Sequence, residues 1–242
     1  MAGGGSAAPL RSLSRSFVPG ATPDGPIELP QQELDKLRKV LRLQSGAEIA
    51  VLPGDGSLIR CRLEGRTAVP ISAERPPTEP TRRLTLAQAL PKPDKLDAVV
   101  RMGTEVGVAE FVVFPSERSL AKWEGPKLED RLRRLRTIAT EAAEQCFRTL
   151  VPAVRWASGL DAVLEALPNA VVLSEVEGVG RHLCELAPPS AIVIGPEGGW
   201  SPREVERIGD RAATLGPRVL RVDTAAAVAA ALVLLRPEPE QG

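Results

Sequence analysis

The larger, rear part of the chain alternates short apolar runs with longer amphipathic stretches. Strands are predicted at residues 84–90, 111–114, 170–173, 191–194 and 219–222. Helical periodicity falls between or after them, at residues 95–106, 128–148, 202–213 and 224–235. Apolar strands are typical of a sheet that is covered on both faces, and alternating strands and helices favour parallel pairing. The pattern therefore predicts a mostly parallel α/β domain.

The front part of the chain has shorter repeats. Two alternating runs, residues 48–52 and 58–63, flank a turn-forming segment at residues 53–56, which is typical of a hairpin. Before this hairpin, leucine and valine recur at helical spacing from Leu34 to Leu41, with lysine and arginine between them. The front part is thus predicted to be a small antiparallel sheet or barrel with one short basic helix.

A proline-rich segment separates these two parts. Residues 75–81 have the sequence Arg-Pro-Pro-Thr-Glu-Pro-Thr, and prolines stiffen a chain while removing backbone donors. We therefore assign residues 1–14 to a loose tail, 15–74 to the front domain, 75–81 to a linker and 82–238 to the rear domain.

Composition narrows the class of protein. The chain has 242 residues, 43% of them hydrophobic and 26% charged, with a formal net charge of zero, which is typical of a globular protein. Three widely spaced cysteines disfavour a disulfide framework or a zinc site and fit a reducing compartment. The longest apolar run, residues 225–235, is short of the ~20 residues that span a bilayer. We expect a soluble, cytoplasmic protein without a metal or a membrane partner.

Two glycine-containing turns precede predicted helices in consecutive strand–helix units. The 195–199 turn, Gly-Pro-Glu-Gly-Gly, leads to a helix start with the capping box Ser201 and Glu204. The 215–221 turn, Leu-Gly-Pro-Arg-Val-Leu-Arg, leads to Asp223 and an alanine-rich helix. Open α/β sheets bind ligands at the carboxyl ends of their strands, so the two turns are candidates to line one crevice. Taken alone, each is also explained as an ordinary tight turn.

Two common nucleotide-binding motifs are missing from the sequence. It has no GxxxxGK[ST] segment, and its partial match to GxGxxG at residues 178–180 does not open a helix after a strand. Kinases, ATPases and dinucleotide-dependent dehydrogenases are therefore disfavoured.

Several short segments carry a resemblance when taken in order along the chain. They are Arg-Ser-Phe at 15–17, Lys-Val-Leu-Arg at 39–42, Ala-Leu-Pro-Lys at 89–92, Glu-Val-Gly-Val at 105–108, Ser-Glu-Arg-Ser at 116–119, Glu-Ala-Ala-Glu-Gln-Cys at 141–146, Arg148 with Val-Pro at 151–152, and the 195–199 and 215–221 turns. In order and spacing they resemble the RsmE family of 16S ribosomal RNA (uracil-N3)-methyltransferases, of the SPOUT class. Asp223 departs from the family pattern, which usually has Glu, and Trp200 stands where Phe or Leu is favoured.

The resemblance implies an architecture and an activity. It implies a PUA-like β-barrel in front, a trefoil-knotted α/β SPOUT domain behind it, and a homodimer. It further implies methylation, with S-adenosylmethionine as cofactor, of uracil N3 in the decoding region of 16S rRNA on the small ribosomal subunit. The alternatives are another SPOUT RNA methyltransferase, acting on a 2′-hydroxyl or on tRNA, and a catalytically silent RNA-binding homologue.

The resemblance also implies residue roles. The cofactor-binding candidates are Leu173, Gly195, Pro196, Glu197, Gly198, Gly199, Leu215, Gly216, Val219 and Leu220. Glu197 is either a site carboxylate or a residue that fixes its own turn, and a side chain at Gly198 is expected to fill the donor's space. The RNA-binding candidates are Arg15, Lys36, Arg38, Lys39, Arg42, Lys92, Arg118, Gln145 and Arg148. Gln145 and Arg148 are expected to share a polar helix face with Glu141.

The catalytic candidates are Arg221, Asp223 and Thr224. Arg221 is expected to stabilise negative charge that develops on the uracil oxygens. Asp223 either orients Arg221 or acts as a base. Helix capping by Asp223 or Thr224 is an equally good structural interpretation.

Overall fold

The chain folds into two compact units. A computed structural model describes residues 9–121, 123–175 and 181–237. The front unit contains the described residues up to Glu79 together with Ala143–Leu150, and the rear unit contains Pro80–Ala142 and the described residues from Val151 onward. The hydrophobic pattern of the sequence did not predict that Ala143–Leu150 belongs to the front unit.

The front unit is built on a five-stranded sheet. Its elements are β1 (Ser14–Phe17), β2 (Ile27–Glu28), α1 (Gln31–Asp35), β3 (Glu48–Leu52), β4 (Leu58–Glu64) and β5 (Thr67–Glu74). The strand order is β1-β3-β4-β5-β2, with β1 parallel to β3 and the other pairs antiparallel. The predicted hairpin is confirmed as β3 and β4, whose inward side chains form a core with Leu34 and Leu37.

The basic helix differs from its prediction. After α1 the chain makes a π-helical turn at Lys36–Val40, and Arg42 adopts a positive φ of 55°. Leu34 and Leu37 are buried, but Val40 and Leu41 are 73% and 44% exposed. The wider π turn changes the angular spacing of the side chains, so the expectation that all four apolar residues lie on one helix face is wrong.

The rear unit is built on a seven-stranded, wholly parallel sheet. Its strands are β6 (Thr85–Ala89), β7 (Glu110–Phe114), β8 (Ala153–Trp156), β9 (Val171–Leu173), β10 (Arg181–His182), β11 (Ala191–Ile194) and β12 (Ala212–Thr214). Their order is β10-β12-β9-β11-β6-β7-β8. The prediction of a mostly parallel α/β domain is confirmed, and the strands predicted at 84–90, 111–114, 170–173 and 191–194 are β6, β7, β9 and β11.

Helices cover both faces of this sheet. They are α2 (Pro93–Val106), α3 (Pro126–Gln145), α4 (Leu160–Ala166), α5 (Pro202–Ile208) and α6 (Val222–Leu234). Along β11, Ile192 and Ile194 join the core that contains residues of α2, α3 and α6, whereas Ala191 and Val193 join the core under α4 and α5. Successive side chains of a strand point to opposite faces, so an uninterrupted apolar strand serves both layers.

The last third of the chain corrects two predictions. The helix predicted at 202–213 ends at Ile208, and residues from its second half form β12. Residues 219–221 form no strand, and the last helix already begins at Val222. β12 has the sequence Ala-Ala-Thr, and it is a strand because it pairs with β9 and β10, which a local pattern does not reveal.

Candidate functional site

The carboxyl ends of four neighbouring strands, β12, β9, β11 and β6, meet at one edge of the rear sheet. Three contacts join the chain segments that leave these strands. The Trp200 indole N–H donates to the Leu173 carbonyl at 2.8 Å, and the Gln88 amide donates to the Gly195 carbonyl at 3.1 Å. The Ser174 backbone N–H, directly after β9, donates to the Ala213 carbonyl of β12 at 2.9 Å. The structure thus brings both glycine-containing turns together, as their positions after parallel strands indicate.

The 195–199 turn is held by contacts from several elements. A Cβ added to Gly195 would lie 3.0 Å from the Trp200 ring, so the ring packs directly on the backbone. The Lys92 backbone N–H donates to the two carboxylate oxygens of Glu197, at 3.1 and 3.2 Å. The Arg118 guanidinium donates to the Gly198 carbonyl at 3.0 Å. Glu197 therefore fixes its own turn, which is one of the two roles that the sequence left open.

Gly198 does not face open space, contrary to expectation. A Cβ at Gly198 would lie 3.3 Å from the Arg118 Cβ and 3.5 Å from its carbonyl oxygen. Gly199 and Gly216 are different: a Cβ would meet nothing within 4 Å at Gly199, and only the His182 Nε2 at 4.0 Å at Gly216. The free space of this region therefore adjoins Gly199 and Gly216, and Gly198 is small because Arg118 packs against it.

The 215–221 turn is held more locally. The Gly216 N–H donates to the Thr214 hydroxyl oxygen at 3.1 Å, and that hydroxyl donates to the Gly216 carbonyl at 3.1 Å. Gly216 has a φ of 113°, a conformation that only glycine adopts readily. Leu215 packs on the core, whereas the side chain of Val219 is 79% exposed.

The first turn of α6 contains the predicted catalytic residues. Arg221 is the N-cap, without a side-chain capping bond, and the side chains of Arg221 and Thr224 are exposed. The expectation that Asp223 or Thr224 is the N-cap of this helix is wrong, because both lie inside its first turn. Asp223 Oδ2 instead accepts a hydrogen bond from Lys95 Nζ of α2 at 3.1 Å. The charged partner of Asp223 is thus Lys95, which the chain brings from the start of a different helix.

The Asp223 carboxylate is held in its charged form. Burial acts to raise its pKa, but the hydrogen bond from Lys95, the backbone amides of the first helical turn and the charge of Lys95 together bring the pKa below its ordinary value. Asp223 Oδ1 is buried and has no hydrogen-bond partner in the described part of the chain. One oxygen atom of this carboxylate is therefore buried without a protein partner among the described residues.

Gln88 is a polar residue of this edge that the sequence analysis did not single out. Its amide N–H group donates to the carbonyls of Ala89, Ile194 and Gly195. Its Oε1 is buried without a partner among the described residues. The sequence signal for Gln88 is that it is a polar residue inside an otherwise apolar strand. Buried polar groups are normally hydrogen-bonded, so such a residue points to a specific set of partners.

Five of the RNA-binding candidates have exposed side chains without a buried ion pair: Arg38, Lys39, Arg42, Lys92 and Gln145. Arg118 is exposed as well, and it holds the 195–199 turn. Arg15 and Lys36 make inward contacts within the front unit. Arg15 lies over the Phe147 ring at 4.6 Å and donates to the Glu144 carbonyl at 2.9 Å. Lys36 forms an ion pair with the Glu144 carboxylate.

Arg148 is placed differently from its prediction. α3 ends at Gln145, and Phe147 with a φ of 70° turns the chain away from the helical path. Arg148 is buried and donates to the Glu79 carboxylate at 2.7 and 2.9 Å. The expectation that Glu141, Gln145 and Arg148 share one polar helix face is therefore wrong.

Within residues 9–121, 123–175 and 181–237, no group of three or more His, Cys, Asp or Glu side chains is arranged to hold a metal ion. None of the helices described combines the length and the hydropathy of a transmembrane span.

Comparison with known proteins extends this picture. The family model of the RNA methyltransferase domain matches residues 77–234. The ribosomal RNA small subunit methyltransferase E (RsmE) of Mycobacterium bovis is 33% identical over 208 residues, which are 78% of this chain and 79% of that protein. The chain belongs to the RsmE family of RNA methyltransferases.

Other RsmE proteins support this membership. The RsmE of Bacillus subtilis is 30% identical over 214 residues, 80% of this chain and 84% of that protein. The crystal structure of RsmE from Neisseria gonorrhoeae, bound to S-adenosyl methionine, superposes with a TM-score of 0.79 at 28% identity, covering 90% of this chain and 95% of that one. The range matched by the family model contains both turns and the whole of α6.

Proposed function

We propose that this RsmE-family chain transfers a methyl group from S-adenosylmethionine to N3 of one uridine in the decoding region of 16S rRNA. The substrate is the assembled small ribosomal subunit, and the enzyme is a cytoplasmic homodimer. The observation that carries this proposal is that the 195–199 turn, the 215–221 turn and the Asp223–Lys95 pair follow neighbouring parallel strands at one sheet edge. As part of it, we propose that the front sheet closes as a PUA-like barrel and that the C-terminal segment is threaded as a trefoil knot.

The residues at this edge fit the proposed cofactor. Space next to Gly199 and Gly216 admits a ligand against the backbone, and the buried, unpartnered Oε1 of Gln88 offers an acceptor for an N–H or O–H group. The proposed binding residues are the strand end and the two turns: Leu173, Gly195, Pro196, Glu197, Gly198, Gly199, Leu215, Gly216, Val219 and Leu220. When bound, S-adenosylmethionine supplies an electrophilic methyl group on a sulfonium, so the transfer needs no metal.

The protein's main chemical task is then to make uracil N3 a nucleophile. N3 carries a proton, which must leave as the N3–CH₃ bond forms and the S–CH₃ bond breaks. Asp223 is the proposed acceptor of that proton, because Lys95 holds it ionised and Oδ1 is unpartnered. Arg221, exposed at the start of α6, stabilises the negative charge on the uracil oxygens. Thr224, which is exposed and directly follows Asp223, contacts the base.

Sequence-independent affinity for RNA comes from positive charge. The proposed phosphate contacts are Arg38, Lys39 and Arg42 of the front unit and Lys92 and Arg118 of the rear unit, with Gln145 as a neutral donor. Arg15, Lys36 and Arg148 are committed to contacts within the front unit, so we propose that they shape the RNA-binding surface instead of touching RNA.

The decisive experiment maps the transferred methyl group. Small subunits from a strain that lacks its own RsmE are incubated with the purified protein and labelled S-adenosylmethionine, and the modified nucleotide is located by mass spectrometry. We expect one methylated uracil N3 in the decoding region, and little transfer by Asp223→Asn, which binds the cofactor normally. Label on a 2′-hydroxyl or in tRNA would assign the chain to another reaction. Cofactor binding without any transfer would identify a silent homologue.

A further inference from the structure

The front unit exposes two adjacent aliphatic side chains. Val40 and Leu41 are 73% and 44% exposed, and no other large apolar side chains that are exposed in the described ranges are neighbours in sequence. They lie in residues 38–42, Arg-Lys-Val-Leu-Arg, which we name the 38–42 tip. Contiguous exposed apolar surface beside polar groups commonly marks an interaction site.

These side chains point outward because the backbone of the segment is held in an ordered conformation. The Leu41 N–H donates to the Lys36 carbonyl at 3.0 Å, and the Leu43 N–H donates to the Leu37 carbonyl at 2.9 Å. Arg42 has a φ of 55°, a left-handed conformation that is unfavourable for a non-glycine residue. Leu34 and Leu37, both buried, anchor the segment. π turns and positive φ values at non-glycine residues concentrate at functional sites.

The apolar pair is surrounded by positive charge. Arg38, Lys39 and Arg42 are exposed and belong to the tip itself, which contains no acidic residue. Arg38 donates to the Gly65 carbonyl, and Lys39 pairs with Asp35 at 3.0 Å. Hydrogen bonds from Lys39 and Gln31 lower the pKa of Asp35, and the charge of Arg66 adds to this effect. Arg66 directly follows Gly65, whose carbonyl Arg38 contacts, so a further cation lies beside the tip in a chain whose net charge is zero.

We propose that the 38–42 tip binds an unpaired base of RNA, with Val40 and Leu41 packed against the face of the base and the flanking phosphates held by Arg38, Lys39 and Arg42. The choice of RNA as occupant rests on the proposed function and on charge complementarity. Unstacked bases expose large apolar faces, which proteins usually cover with aromatic side chains. This chain has no tyrosine and few aromatic residues, so an aliphatic pair takes that place.

The test compares single-stranded and duplex RNA of equal length, by fluorescence anisotropy with the full-length protein. The double variant Val40→Ser/Leu41→Ser should bind the single strand about tenfold more weakly, as expected for the loss of one base contact. Its affinity for the duplex and the salt dependence of its binding should stay as in the wild type. Arg42→Asn, which tolerates a positive φ, should instead reduce the salt slope by about one. The matched control is Ile71→Ser, a 46% exposed aliphatic residue on β5.

The outcomes separate this proposal from its rivals. Unchanged single-strand affinity in the double variant, or an equal loss on the duplex, would overturn it. Dissociation of a dimer in sedimentation with unchanged RNA affinity would show that the tip contacts a second copy, and would overturn it as well. Thermal unfolding identifies a misfolded variant, in which case Val40→Thr/Leu41→Asn repeats the comparison. Methyl transfer to small subunits by the wild type is scored separately, so failure of the proposed function leaves the binding result interpretable.

Discussion

The two turns beside β9 are both short and glycine-containing, but they are held in different ways. The 195–199 turn is fixed from three directions, by the Trp200 ring, the Lys92 backbone and the Arg118 guanidinium. The 215–221 turn is held more locally, by the two hydrogen bonds between Thr214 and Gly216. A segment that makes fewer contacts with the rest of the protein is less preorganised, so a larger part of its ordering takes place when the ligand binds. We therefore expect the first turn to be preformed and the second to be ordered by the cofactor.

The largest effect is expected from a substitution that disrupts the 195–199 turn. Trp200→Ala removes a buried ring that stacks on Phe114 with centroids 6.5 Å apart and donates to Leu173. Urea denaturation should show a loss of about 3–5 kcal/mol, and calorimetry should show no measurable S-adenosylmethionine binding. Trp123→Ala is the control, since that ring stacks on Trp156 instead. Cofactor affinity within twofold of the wild type in Trp200→Ala would mean that the first turn does not depend on this ring.

A substitution in the 215–221 turn should change the affinity for the cofactor more than the stability of the protein. Gly216→Ala introduces a Cβ without a close contact, but a φ of 113° strains any other residue by about 2 kcal/mol. Because few hydrogen bonds hold the turn, it should relax in the free protein, so the strain should appear as a loss of cofactor affinity of about thirtyfold with little change in melting temperature. Gly20→Ala, at a φ of 77° in the front unit, is the matched control. A large stability loss with normal affinity would show that the second turn is preformed too.

The Asp223–Lys95 pair, which follows the 215–221 turn, should determine how the rate of methyl transfer depends on pH. Lys95→Met removes the partner that favours ionised Asp223, so the pKa of Asp223 rises and the acid limb of the methyl-transfer rate should move to higher pH. A part-buried pair contributes ~1 kcal/mol, so the rate on that limb should fall about fivefold, with cofactor affinity unchanged. Lys95→Arg should restore the profile. An unmoved acid limb would remove Asp223 from the proton transfer.

The smallest effect is expected from a substitution that weakens one contact of the 195–199 turn. Glu197→Gln keeps an oxygen acceptor for the Lys92 N–H but removes its charge, and a charge-assisted hydrogen bond exceeds a neutral one by ~1 kcal/mol or less at an exposed site. Cofactor affinity should fall about twofold to threefold in calorimetry. A loss as large as that of Gly216→Ala would assign Glu197 a direct role with the cofactor.

Local pattern predicts the parts of this fold whose cause is local. The strands that became β6, β7, β9 and β11 are apolar on both faces, and the capping box of Ser201 and Glu204 is present with both of its hydrogen bonds. β8 and α4 were not predicted, since their runs are short and mixed. The basic helix was only half correct, because a π turn and a positive φ at Arg42 depend on the packing around them.

The sequence by itself determined the class of fold, the family and the two turns, because these are written in contiguous residues and in the spacing of short segments. The tertiary structure alone decided that Asp223 pairs with Lys95, that Arg148 is buried against Glu79, and that Gly198 packs on Arg118. It also decided that Ala212–Thr214 is a strand. Each of these depends on two segments that lie far apart in the chain, and the identity of a distant partner is not encoded in the periodicity of either one.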